Sequence, residues 1–96
     1  MKTLKQEYLL AESFEERRII SIRAANLSWA RKHKAGRFPT KEFLDEFLEP
    51  FFQYEKHKLQ RMKLQHITQK IAKEEELQHA EAEVYWSKKC IEKLEG

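Results

Sequence analysis

Glycine and proline together number four in this chain of 96 residues. Three of the four fall between Gly36 and Pro50, and none occurs from Phe51 to Glu95. A sheet protein needs such residues at its tight turns, and their scarcity points to helices joined by few corners. The fold expected is all-α: a short N-terminal helix, a second helix, a Gly/Pro corner and a kinked long C-terminal helix, in a bundle or coiled-coil-like association. At this length one domain is expected over 1–96, near the lower limit for a self-sufficient core.

Helix starts are readable from capping residues. Thr3 and Gln6 have the spacing of a capping box, and Ser13 with Glu16 repeats it. These signals predict helices over about 4–11 and 14–35. In the second helix Ile19, Ile22 and Trp29 share a face with Asn26 and His33, while Ile20, Ala24 and Leu27 mark a neighbouring one. So wide an apolar surface implies contact on two sides. Gly36 suits a left-handed helix terminus, Pro39 follows three residues later, and Thr40 stands where the next cap belongs. Residues 36–40 therefore read as a helix–helix corner.

Beyond it, Leu44, Phe47, Leu48, Phe51 and Phe52 keep the helical period through Pro50. A mid-helix proline removes one hydrogen bond and disfavours helical geometry at Glu49, which predicts an elbow, either a kink or a helix restarting at Pro50. A continuous helix from Phe51 to Glu95 would be about 65–70 Å long. Leu77, Ala80, Val84, Ile91 and Leu94 have heptad-like spacing, and Leu59 with Met62 shares their face. Leu64, Ile67 and Ile71 lie on nearly the opposite side. Either the helix breaks near Lys73–Glu76 or different bodies cover its two faces. No capping residue immediately precedes Glu74, so the sequence favours continuity over 41–95. An arm striped in this way calls for a partner chain, and self-association is the simplest source. Charge runs in blocks, basic around Lys56–Lys63 and acidic around Glu74–Glu83, a pattern suited to antiparallel pairing.

The formal charge of +3 permits an acidic partner without demanding one. A lone cysteine, Cys90, forms no internal disulfide and favours a reducing compartment. No signal peptide is legible at the N-terminus, and no apolar run approaches the ~20 residues that span a bilayer. A cytoplasmic protein without membrane contact is the expectation.

Chemistry finds little foothold. Glu76 and His79 have the Glu-x-x-His spacing that di-iron bundles use, but such a site needs a second copy and two further carboxylates. Glu75, His79 and Glu83, four residues apart on a charged face, read as solvated. Lys88 and Lys89 could lower the Cys90 pKa, although a structural thiol beside Ile91 is the plainer reading. There is no phosphate loop, nucleophile elbow or dinucleotide fingerprint. The expectation is no catalytic residue, no cofactor and no metal.

Two leads to function remain. Arg31, Lys32, Lys34 and Arg37 surround a helix end, where cations also suit the helix dipole. Lys56, Lys58, Arg61 and Lys63 form a second basic group that does not fall on one stripe, as a groove-tracking helix would require. The segment after the corner, KEFLDEFLEPFF, is acidic and aromatic, unlike a recognition helix. The second lead is aromatic. Phe47, Phe51, Phe52 and Trp86 are candidate anchors for a protein partner, with packing into a core as the plainer role. The sequence thus favours a small non-enzymatic regulator, adaptor or inhibitor that binds another protein through helical surfaces and forms homo-oligomers. The alternative is a nucleic-acid-binding accessory protein that uses the two basic groups.

Overall fold

The computed structural model describes residues 2–33 and 38–95. It is all-α: α1 (Leu4–Leu10), α2 (Phe14–Lys32), α3 (Lys41–Leu64) and α4 (Lys70–Glu95), with no strand among the described residues. Among the described residues no helix is long and apolar enough to cross a membrane. Contacts divide the chain into two compact units, one of Met1–Glu49 with Ile91–Gly96 and one of Pro50–Cys90.

The caps form as the sequence implies, with one change of partner. Thr3 Oγ1 accepts from the Gln6 amide at 3.1 Å while Gln6 Oε1 accepts from the Thr3 amide at 3.0 Å, a complete capping box. Ser13 Oγ accepts from the Glu16 amide at 3.1 Å. The Glu16 carboxylate, however, turns to the Glu12 amide at 3.1 Å rather than to that of Ser13. Thr40 Oγ1 caps α3 through the Phe43 amide at 3.2 Å. α2 ends at Lys32 with an extended His33 as its cap. Gly36 and the first part of the predicted corner lie outside the described residues.

In the first unit α2 buries its small-residue face. Ile20, Ser21, Ala24 and Ala25 are buried together with Arg17, and Tyr8 of α1 is buried too. Small side chains let α1 and α2 approach closely, and the Arg17 guanidinium donates to the Ala11 carbonyl at 3.3 Å. Ile19 and Ile22, which the periodicity placed on one apolar face with Trp29, are exposed. Three aromatic rings continue this core: Trp29 meets Phe43 edge-on at 5.1 Å, and Phe43 stacks on Phe47 at 5.7 Å. Phe47 is only 6% exposed. Lys93 lies 5.3 Å over its ring, and Lys5 pairs with Glu95 at 2.7 Å.

α3 is assigned as one helix through Pro50, so the helix does not restart there. The expected continuous arm over 41–95 is corrected at Gln65–Gln69, where α3 ends and α4 has not begun. The physical reasons are local. His66, the β-branched Ile67 and Thr68 are weak helix formers, and the Ile67 amide closes a tight turn onto the Leu64 carbonyl at 3.1 Å. The Lys73 ammonium donates to the Gln65 carbonyl at 3.2 Å, satisfying an acceptor at the helix end. Lys73 also begins the ladder of α4 by donating its amide to Gln69 at 3.0 Å. The break comes before Lys73–Glu76, and the chain passes through that stretch as helix.

Candidate functional site

The second unit joins α3 to α4 through a seam that mixes apolar and polar side chains. Among the polar ones, His57 and Arg61 are four residues apart on α3, and His79 and Glu83 four apart on α4. The two imidazoles meet Nδ1 to Nδ1 at 2.8 Å, one donating and the other accepting. Arg61 forks onto Glu83, its Nε donating to Oε2 and its Nη2 to Oε1 at 3.2 Å. This pairing raises the Arg61 pKa, chiefly through the hydrogen bond to Glu83. Burial, followed by the nearness of His79, lowers that of His57. Cys90 is fully buried, at 0% exposure, which fits a structural thiol. Phe51, 5% exposed, and Ala72 are also buried.

Large apolar side chains point the other way. Phe52, Leu59 and Met62 on α3 and Leu77, Val84 and Tyr85 on α4 are all exposed, Leu59 at 54% and Leu77 at 61%. At ~100° per residue, Phe52 and Leu59 lie on the side of α3 roughly opposite His57 and Arg61, and Leu77 and Val84 on the side of α4 roughly opposite His79 and Glu83. Phe52 with Leu59, and Leu77 with Val84, recur at seven residues, so each helix presents a stripe rather than scattered residues.

The basic candidates separate into different roles. Arg31 and Lys32 are exposed near the end of α2, and the Lys32 ammonium lies 5.6 Å over the Phe43 ring. Lys34 and Arg37 lie outside the described residues. Lys58 sits 5.6 Å over Tyr54, and Arg61 is committed to Glu83. Lys56 and Lys63 point outward beside Leu59. These four do not converge on one phosphate-binding face.

Among the aromatic candidates, Phe47 and Phe51 are buried and supply core rather than anchors. Phe52 is exposed, and Trp86 is half-buried with its ring edge-on to Tyr85 at 5.0 Å. In the first unit an open groove of about 400 Å³ is lined by Lys32, Phe43, Glu46, Phe47, Glu92 and Lys93. Its two cations and two carboxylates express no preference for a charged ligand. The Trp29 indole N–H, buried, finds no acceptor among the described residues.

Glu76 lies 3.3 Å from the Lys73 ammonium while His79 turns to His57. Among the described residues no group of three or more His, Cys, Asp or Glu gathers as metal ligands. The His57–His79 contact is the part of the site the sequence reading missed. Its signal was there in the repeated four-residue spacing of His57–Arg61 and His79–Glu83, but without the α3–α4 turn nothing placed the two pairs side by side.

Comparisons with protein-family models, curated proteins and solved structures found no match. Function has to be read from the chain's own side chains.

Proposed function

We propose that this protein is a non-enzymatic binding protein, a small regulator, adaptor or inhibitor that engages another protein through the outward faces of α3 and α4. The observation that carries this reading is the pair of exposed apolar stripes on the second unit. One Arg–Glu ion pair and two imidazoles join its helices beside the buried Phe51, Ala72 and Cys90, while Phe52, Leu59, Leu77 and Val84 remain exposed at helical spacing. Exposed apolar stripes rimmed by charge are what helix-mediated protein interfaces use. The basic residues support the nucleic-acid alternative less well, because Arg61 is consumed by Glu83 and Lys58 packs on Tyr54.

The test is affinity capture from cell lysate treated with nuclease, comparing the wild type with Leu59→Asp/Leu77→Asp. A protein partner that survives nuclease and is lost with the double substitution is the expected result. Retention that depends on intact nucleic acid, and is indifferent to Leu59 and Leu77, would favour the alternative.

A further inference from the structure

The charges flanking the two outward stripes are of opposite sign. On α3 the stripe reads Phe52, Lys56, Leu59, Lys63; on α4 it reads Glu74, Leu77, Glu81, Val84, and all eight residues are exposed. Lys56, Lys63, Glu74 and Glu81 take part in no ion pair among the described residues. Within the second unit the two stripes face away from each other, since each lies roughly opposite the His57–Arg61 or His79–Glu83 seam of its own helix. They therefore cannot satisfy one another inside one chain.

We infer that the occupant of each stripe is a second copy of this chain, the α3 stripe of one copy lying antiparallel on the α4 stripe of the next. This rests on the reading of these faces as protein-binding surfaces and names the partner. The register supports it. Setting Lys63 opposite Glu74 brings Lys56 opposite Glu81 one heptad along, and Phe52 opposite Tyr85 four residues further. Leu59 then falls beside Leu77. A parallel arrangement that keeps Lys56 opposite Glu74 and Lys63 opposite Glu81 also sets Leu59 opposite Leu77, but it places Phe52 against Lys70 and forfeits the aromatic contact, so the antiparallel preference rests on Phe52 and Tyr85. Because the two stripes point in opposite directions, the contact is heterologous. Each copy offers α3 on one side and α4 on the other, and association continues until a ring closes or an open chain grows. Charge pairs at exposed positions set register and partner choice more than strength, so the assembly loosens with added salt.

The experiment is analytical ultracentrifugation of the full chain and two charge-reversed variants, Lys56→Glu/Lys63→Glu and Glu74→Lys/Glu81→Lys, alone and mixed. The wild type is expected to grow in mass with concentration past the dimer or to a closed ring. Each variant alone places like charges across the contact and should associate about tenfold more weakly or worse. Their equimolar mixture restores opposite signs at both contacts and should associate again. Should a reversed variant lose its helical circular dichroism, the neutral pair Lys56→Gln/Lys63→Gln replaces it, with a smaller loss expected. A wild type that stays monomeric at high micromolar concentration, variants that associate as the wild type does, or a mixture that stays monomeric would each overturn the inference. A monomeric wild type that still captures a different protein through Leu59 and Leu77 would remove the second copy as occupant while leaving the broader reading intact. Loss of both would overturn the two together.

Discussion

Replacing Phe47 with alanine removes a buried ring that stacks on Phe43 and carries Lys93 over its face. The cavity left behind should cost about 3–5 kcal/mol, read as a lower midpoint in chemical denaturation. An unchanged midpoint would mean that the ring is not packed as described. Glu83→Gln keeps the shape of its side chain but leaves the half-buried Arg61 guanidinium without its carboxylate. The expected loss is about 1.5–3 kcal/mol, the range for hydrogen bonds to charged groups, and a melt within error of the wild type would contradict it. At this scale the sequence was most legible where one side chain acts on its own backbone. Thr3, Ser13 and Thr40 cap the helices they were expected to cap. It was least legible where the direction of a side chain depends on a distant helix. Phe47 and Phe52 belong to one apolar run but point about 140° apart, and the sequence does not say which of the two directions is covered: Phe47 is buried and Phe52 exposed.

At the scale of elements, the α3–α4 seam should weaken in acid. The His57–His79 contact needs one Nδ1 free to accept, and Lys56 adds to the field that disfavours a proton on His57, while Glu83, already engaged by Arg61, partly offsets it. A histidine whose pKa is lowered in the folded state binds fewer protons folded than unfolded. Its contribution is fully present above the ordinary histidine range and is lost as pH falls through the lowered folded value. The thermal midpoint should therefore fall as pH drops below about 6.5. His57→Gln/His79→Gln should reduce that slope, and an unchanged slope in the double variant would show that other groups are responsible. The turn at Gln65–Gln69 illustrates why this seam could not be foreseen. No glycine or proline marks it. The only sequence trace was the switch of apolar residues from the Leu59–Met62 side to the Leu64–Ile67–Ile71 side, which reads equally well as one helix covered on two faces. The turn is made by a run of weak helix formers and by Lys73 reaching back to the Gln65 carbonyl, contacts that exist only once the chain has folded back.

Across the whole molecule, the all-α architecture followed from the scarcity of breakers, because few glycines and prolines leave little else for the backbone to do. The direction of the apolar stripes did not follow. A helical wheel gives the relative angle of Leu77 and His79 but not which of them faces α3, and here a pair of imidazoles and an Arg–Glu fork take the inner side. The first basic group of the sequence provides a contrasting test. Substituting Arg31, Lys34 and Arg37 with glutamine should soften folding by about 1 kcal/mol or less per residue and leave binding to a protein partner largely intact. Tight, salt-dependent binding to arbitrary nucleic acid that vanishes in this variant would overturn the protein-binding reading.

The most direct measurement of that reading is site-specific photo-crosslinking in cells, with the reactive side chain placed in turn at Leu59, at Leu77 and at the exposed control position Glu15 on α2. Covalent protein adducts at 59 and 77, well above those at 15, are the result predicted. Adducts to nucleic acid alone, or none above the control at either stripe position, would contradict it.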